Sequence, residues 1–150
     1  LDSLDAPCQY IFAAGVNKRL KAEVENMPLK KPHSVLGWVD NMHQIMACTD
    51  VVVGKAGGLI ISEALAVNKP MIMINPMPGQ EERNCDYILE IGAGTKIYHP
   101  KEIEYVIFNF INDKAYYEKK VQACVLNAKP RAALEIARIV QEDFVMKSSR

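Results

Sequence analysis

The sequence predicts an α/β fold, a Rossmann-like parallel sheet flanked by helices. Short apolar runs rich in Val, Ile and Met alternate with longer segments of helical period, which is typical of parallel strands covered by helices. Pro70, Pro76, Pro78 and Pro100 all lie between the predicted helices, where the missing amide of proline does least harm. The 150 residues have the length of one ordinary domain, so we expect a single core.

Each element follows from its local pattern. The predicted strands are short apolar runs bounded by polar or turn residues: Gln9–Ala14, His33–Leu36, Asp50–Val53, Pro70–Ile74 and Gly94–Ile97. The predicted helices carry apolar residues at helical spacing: Asn17–Glu25, Asn41–Cys48, Gly58–Val67, Gln80–Ile91, Lys101–Asn112, Lys114–Leu126 and Arg131–Met146. Pro130 suits the start of the last helix. That helix has an apolar stripe formed by Leu134, Ala137, Ile139, Val140 and Phe144.

The composition argues against several classes of function. Lys and Arg total 18, and Asp and Glu also total 18, so the chain lacks the positive surplus that binds nucleic-acid phosphates. Its four cysteines lie far apart without zinc-ligand spacing, as expected of buried thiols in a reducing cytoplasm. No apolar run approaches the roughly 18 residues of a membrane span. We therefore expect a cytoplasmic domain that binds neither nucleic acid nor a metal ion.

The segment Asp50–Val67 is the first candidate ligand-binding element. A buried strand leads into a turn, and Gly57 and Gly58 then open a helix. The bare amides and the positive dipole at a helix start attract phosphate, and glycine lets the phosphate approach the backbone. Glu63 lies on the second turn, where its carboxylate could accept both hydroxyls of a ribose. Taken alone, the glycines also fit a tight turn, and Glu63 also fits a carboxylate favoured by the helix dipole.

The loop Asn75–Asn84 is the second candidate element. It follows the next strand, and open parallel sheets bind their ligands beyond the carboxyl ends of strands. Two prolines stiffen the loop, and Gly79 permits an unusual backbone angle. Gln80 and Glu81 then offer an amide and a carboxylate, the paired donors and acceptors that sugar hydroxyls require. Taken alone, the loop fits equally well a rigid connection followed by an acidic first helical turn.

Together the two elements resemble glycosyltransferase family 28, and within it the diacylglycerol glucosyl- and galactosyltransferases. Residues 55–65, Lys-Ala-Gly-Gly-Leu-Ile-Ile-Ser-Glu-Ala-Leu, are similar to the family's Lys-x-Gly-Gly-x-x-x-x-Glu-Ala motif. Residues 76–84, Pro-Met-Pro-Gly-Gln-Glu-Glu-Arg-Asn, are similar to its proline-glycine-glutamine-glutamate loop. Residues 36–42 resemble the family segment whose backbone reads uracil. The similarity extends from about Gln9 to the last helix.

The resemblance implies a role for each part of the site. The backbone around Trp38 and Val39 would read the uracil, the amides of the Gly57 to Leu59 turn would hold the diphosphate, and Glu63 would hold the ribose. The glutamine and glutamate of the second loop would hold the hexose, and a lysine would add positive charge. The implied nucleotide-sugar-binding residues are Trp38, Val39, Lys55, Gly57, Gly58, Leu59, Glu63, Pro78, Gly79, Gln80, Glu81 and Asn84.

The resemblance also implies the architecture. Family members have the GT-B arrangement of two Rossmann-like domains, and residues 1–150 correspond to the C-terminal, donor-binding half. The chain has no initiator Met, so we expect a fragment that lacks the acceptor domain and holds no catalytic residue. The first strand of the donor half is also missing. In a doubly wound order it would lie between the strands at Gln9 and at Asp50, so two apolar strand edges would remain unpaired.

The function implied is the donor half of an inverting hexosyltransferase. It would bind a UDP-hexose as substrate and need neither a cofactor nor a bound catalytic metal. The lipid acceptor, expected to be diacylglycerol, would bind the missing N-terminal domain at the cytoplasmic face of a membrane, giving peripheral membrane contact. One alternative is an N-acetylglucosaminyltransferase acting on a lipid-linked peptidoglycan precursor. The other is a non-catalytic nucleotide-sugar-binding subunit of a two-chain transferase.

Overall fold

The computed structural model describes the backbone of residues 2–148 and the side chains of residues 2–144. Five strands are present in this part of the chain: β1 (Tyr10–Ala13), β2 (His33–Leu36), β3 (Val52–Gly54), β4 (Met71–Ile74) and β5 (Gly94–Ile97). The helices are α1 (Lys18–Glu25), α2 (Met42–Ala47), α3 (Gly58–Ala66), α4 (Gln80–Glu90), α5 (Glu102–Asn112), α6 (Lys114–Asn127) and α7 (Ala132–Ser148). The predicted α/β order is confirmed element by element.

The strands form two separate parallel sheets. β1 pairs with β2, with Tyr10 opposite His33, and β4 lies between β3 and β5 in a three-stranded sheet. β1 and β3 do not pair with each other. The expectation that one edge of each of these two strands would be unpaired is therefore confirmed.

Element ends differ from the predicted ends by one or two residues. β3 begins at Val52 rather than Asp50, because the parallel ladder starts where Val52 lies opposite Met71 of β4. α7 continues to Ser148, two residues past the predicted end at Met146. Such shifts are the usual uncertainty of helix and strand ends, since the last turn of a helix frays and a strand is defined by its partner.

The core lies around the three-stranded sheet. Met71, Ile72 and Met73 of β4 are all buried, so this central strand is covered on both faces, as continuous apolar runs in parallel sheets usually are. On one side it packs with a cluster that includes Cys85 of α4 and Cys124 of α6. On the other side Ile72 belongs to a second cluster with Val106 and Phe110 of α5. The Met-rich strand therefore serves as core packing.

The last helix carries an uncovered apolar face. Leu134, Ile139, Val140 and Phe144 have exposed fractions between 62% and 73%, so the predicted stripe is largely exposed in the described part of the chain. Within residues 2–148, no helix combines the length and the apolar content required to cross a membrane.

Candidate functional site

The amino-terminal end of α3 is open to a ligand. Gly57 precedes the helix in an extended conformation, with φ −67° and ψ 147°, and has no side chain that could cap it. The first backbone bond that closes the helix runs from the Ile61 amide to the Gly57 carbonyl, at 3.2 Å. The backbone amides before Ile61, in the first turn of α3, have no hydrogen-bond partner within the helix. Leu59, on the first turn, is 82% exposed, so the amide end of α3 faces the surface.

Glu63 lies further along the same helix and is exposed. At about 1.5 Å of rise per residue, its Cα is displaced along the helix axis by about 7.5 Å from that of Gly58. A group bound at the helix start can therefore be connected to a second group that reaches Glu63. The side chain is available to such a group, because it projects outward rather than into the core.

The loop between β4 and α4 contains two residues with a positive φ, and this restricts which residue types can occupy those positions. Asn75 follows the last residue of β4 and has φ 39°, a left-handed conformation that asparagine tolerates better than most residues. Gly79 caps α4 with φ 103° and ψ −115°, which is essentially accessible only to glycine. These two positions turn the chain between the end of β4 and the start of α4.

Glu81 stabilises this loop from the first turn of α4. Its Oε2 accepts a hydrogen bond from the Met77 amide at 2.9 Å and lies 3.6 Å from Nζ of Lys55, which follows β3. The Lys55 side chain is 57% exposed, so the ion pair itself contributes little stability. The bond to the amide is charge-assisted and directional. Glu81 therefore fixes the loop, and it also brings Lys55 to the edge of the site.

Two further contacts bring the two predicted elements together. Asn84 donates from Nδ2 to the carbonyl oxygen of Ala56 at 2.8 Å, which joins α4 to the turn before α3. A Cβ built at Gly58 would lie 3.7 Å from Nε2 of Gln80, so the exposed Gln80 amide is next to the start of α3. The glycine pair, the second loop and the lysine thus form one continuous surface.

Trp38 and Val39 lie next to the two-stranded sheet and not next to the three-stranded one. They lie on the loop after β2, where Trp38 is 76% exposed and Val39 is half-buried. This loop contacts the turn between β1 and α1, because a Cβ built at Gly37 would lie 3.7 Å from the Gly15 carbonyl oxygen. The other predicted residues, Pro78 among them, border the three-stranded sheet. The predicted site therefore consists of two groups, one on each sheet.

Three participants in this geometry were not identified from the sequence. The Met77 amide and the Ala56 carbonyl act through the backbone, and no side-chain pattern indicates them. Gly15 has φ 58° and lies in the turn after β1; its position directly after a predicted strand was the available signal. Among the described residues, His, Cys, Asp and Glu side chains do not cluster as metal ligands would. Burial raises the pKa of the Cys85 thiol, which lies on the buried face of α4.

Solved structures share this fold. The chain superposes on MurG from Acinetobacter baumannii with a TM-score of 0.77 and 18% sequence identity, covering 94% of this chain and 43% of that one. It also superposes on the glycosyltransferase VinC, solved in complex with dTDP, with a TM-score of 0.60 and 15% identity, covering 93% and 43%. The fold is therefore that of a domain of the GT-B glycosyltransferases.

Sequence comparison identifies the family within this class of glycosyltransferases. Residues 5–98 match the glycosyltransferase family 28 C-terminal domain, and the chain belongs to that family. A processive diacylglycerol beta-glucosyltransferase of Bacillus pumilus is 28% identical over 147 residues, which are 97% of this chain and 37% of that protein. The chloroplastic monogalactosyldiacylglycerol synthase 1 of Arabidopsis thaliana is 30% identical over 146 residues, 97% of this chain and 27% of that protein. The chain thus spans between 27% and 37% of the length of these two relatives.

Proposed function

We propose that this chain is the donor-binding half of an inverting glycosyltransferase that transfers a hexose from UDP to a lipid hydroxyl. The observation that carries the proposal is the surface formed by the open start of α3, the exposed Glu63 and the Gln80 amide beside Gly58.

The proposed donor lies along this surface. Its diphosphate accepts hydrogen bonds from the amides of Gly57, Gly58 and Leu59, where the helix dipole favours negative charge. The ribose lies further along α3, with its hydroxyls donating to the Glu63 carboxylate. The uracil contacts the backbone at Trp38 and Val39. The motif resemblance supports these assignments, and the exposure of each position is compatible with them.

The hexose is assigned to the loop before α4. The Gln80 side chain is exposed and offers both a donor and an acceptor. Glu81 already accepts the Met77 amide through Oε2, which leaves Oε1 to accept a sugar hydroxyl. Pro78 and Gly79 keep the loop in place, and Asn84 fixes it to the α3 turn. We propose that this loop reads the hexose, while the α3 surface binds the nucleotide.

The proposed reaction is a single displacement. A lipid hydroxyl attacks the anomeric carbon from the face opposite UDP, a new carbon–oxygen bond forms, and the bond to the β-phosphate oxygen breaks. The hydroxyl proton passes to a base in another part of the full-length protein. Charge grows on the leaving UDP, and the α3 amides with the Lys55 ammonium stabilise it. The nucleotide sugar is a substrate, and the reaction as proposed uses no cofactor.

The proposed acceptor is diacylglycerol. The support is the printed activity of the two relatives, one a processive diacylglycerol beta-glucosyltransferase and the other a monogalactosyldiacylglycerol synthase. Since the matched region covers 37% or less of each relative, we assign the acceptor and the peripheral membrane contact to the full-length protein. The fold shared with MurG does not decide between acceptors, because it is common to the whole class.

Nucleotide titration tests the proposal. We expect the full-length protein to bind UDP at least about ten times more tightly than ADP or GDP, since a nucleobase read by directed hydrogen bonds discriminates by 1.4 kcal/mol or more, roughly tenfold. Isothermal titration calorimetry with the three nucleotides measures this directly. Equal weak binding of all three by a folded sample would contradict the donor assignment.

A further inference from the structure

Side chains at the start of α4 contact the turn before α3 at successive positions. Nζ of Lys55 lies 3.6 Å from Oε2 of Glu81, and Asn84 donates from Nδ2 to the Ala56 carbonyl oxygen at 2.8 Å. The Asn84 bond differs from the ion pair, because it holds the backbone of the turn and not the end of a flexible side chain. It therefore acts on a peptide group at the edge of the proposed diphosphate site.

The Ala56 carbonyl and the Gly57 amide belong to the same peptide unit. This unit is trans and planar, so its C=O and N–H bonds point in opposite directions. Because Asn84 binds the oxygen, the Gly57 N–H points away from Asn84. No carbonyl of α3 accepts this N–H, since the first bond of the helix runs from Ile61 to the Gly57 carbonyl. The Asn84 bond thus fixes the direction of an amide that the helix does not use.

Glycine at position 57 makes this direction easy to lose. Gly57 has φ −67°, and a half-turn of the preceding peptide unit would change this angle to roughly 110°, which glycine adopts and other residues rarely do. The turned unit would place the Ala56 carbonyl oxygen where the Gly57 N–H had been. A partial negative charge would then replace a hydrogen-bond donor. A bond that holds the Ala56 oxygen opposes this exchange.

Asn84 is itself held in place by the core. The next residue, Cys85, is fully buried, and Ile88 one turn further along α4 is 1% exposed, so this part of the helix is anchored. The Asn84 side chain is half-buried, where a hydrogen bond is stronger than in water. A carbonyl oxygen can only accept, so the amide nitrogen of Asn84 must face Ala56. The donor is therefore fixed in both place and orientation.

We propose that Asn84 is a positioning residue of the diphosphate site, and that it sets the direction of the Gly57 amide through the Ala56 carbonyl. The inference rests on the proposed function, because it takes the diphosphate to be the group that this amide binds. Asn84 does not itself touch the nucleotide. Its role differs from that of Gln80 and Glu81, which are assigned to the hexose. Loss of Asn84 should therefore weaken ligands that carry the phosphates, with or without a sugar.

Titration of the full-length protein and two variants tests the inference. Asn84→Ala removes the donor, and Asn84→Asp keeps the shape of the side chain but has no N–H to donate. In Asn84→Ala, UDP binding should weaken about tenfold, the lower limit for loss of one hydrogen bond to a charged group. Asn84→Asp should lose at least as much, because its charge also repels the phosphates. The affinity for uridine, which has no phosphate, should stay within about twofold in both variants.

Asn127→Ala is the matched control. Nδ2 of Asn127 donates to the Ala123 carbonyl oxygen at 2.8 Å, and this bond is also half-buried. It lies at the end of α6, so its loss removes the same kind of contact away from the turn before α3. UDP binding by Asn127→Ala should stay within about twofold of the wild type.

The Gly57 signal in a glycine-selective ¹⁵N spectrum gives a second readout that needs no ligand. The nitrogen resonance of an amide responds to a hydrogen bond at the carbonyl of its own peptide unit. The Gly57 signal should therefore move in both Asn84 variants and stay in place in Asn127→Ala. A side chain that only stabilised the fold would lower the free energy of unfolding without this specific shift.

Three results would overturn the inference alone. The first is UDP affinity in Asn84→Ala within twofold of the wild type, and the second is a Gly57 signal that neither Asn84 variant moves. The third is an equal loss of UDP and uridine affinity, which would give Asn84 a general structural role. Failure of the folded wild-type protein to bind UDP would instead contradict the proposed function, and this inference with it.

Discussion

Replacement of Glu63 by alanine should weaken UDP binding by about 10–100-fold. Hydrogen bonds to a charged group contribute about 1.5–3 kcal/mol, and each 1.4 kcal/mol corresponds to a factor of ten in the dissociation constant. The change should leave folding intact, because the Glu63 side chain is exposed on α3. Calorimetric titration of wild-type and variant full-length protein with UDP measures the difference.

Two controls separate the ribose contact from a general change in charge. Glu90→Ala removes an exposed carboxylate from the far end of α4 and should leave the UDP dissociation constant within about twofold. Inorganic pyrophosphate lacks a ribose, so Glu63→Ala should not weaken its binding. An equal loss of UDP and pyrophosphate affinity in Glu63→Ala would mean that the carboxylate acts on the helix start and not on the pentose.

Replacement of Gly94 by alanine should destabilise the protein by about 2–3 kcal/mol. A Cβ at this buried position of β5 would lie 2.6 Å from Cγ2 of Ile88 and 2.7 Å from the Met71 carbonyl oxygen. The Ile88 side chain is on the buried face of α4, and the Met71 oxygen belongs to the central strand, so neither can move freely. Overpacking of a dense core costs about 1–3 kcal/mol. Equilibrium urea unfolding measures the change.

Gly54→Ala is the matched control on another strand of the same sheet. A Cβ at Gly54, on β3, would be 3.6 Å from Cδ1 of Ile60, an ordinary van der Waals contact. Its free energy of unfolding should therefore change by less than about 1 kcal/mol, with a small gain possible from the reduced entropy of the unfolded chain. Equal losses in both variants would mean that strand glycines in general, and not the contacts of Gly94, determine the effect.

Much of the fold was predictable because the local signals agree with one another. The buried run at Met71–Ile74 is too short and too continuously apolar for a surface helix, and Pro70 and Pro76 bound it. Gly79 was identifiable as a special backbone position, and its φ of 103° confirms this. The interruption between β1 and β3 was also expected, from the resemblance rather than from any local pattern.

The contacts within the site were less predictable. Asn84 was included among the sugar-binding residues, but its Nδ2 donates to the Ala56 carbonyl, which is a positioning contact. Glu81 was expected to contact the hexose, and one of its oxygens accepts the Met77 amide. Sequence motifs identify which polar residues lie near a ligand. Whether such a side chain binds the ligand or the backbone of a loop depends on shifts of an ångström or less, which a motif does not specify. The direct roles of these residues stay predictions.

The amide resonances of the α3 turn test the central claim most directly. With glycine-selective ¹⁵N labelling of the full-length protein, addition of UDP should shift the Gly57 and Gly58 signals strongly downfield, because their amides would donate to the diphosphate. Uridine, which has no phosphate, should leave both signals nearly unchanged. If saturating UDP moves neither signal while other resonances respond, the diphosphate binds elsewhere and the account of this site is wrong.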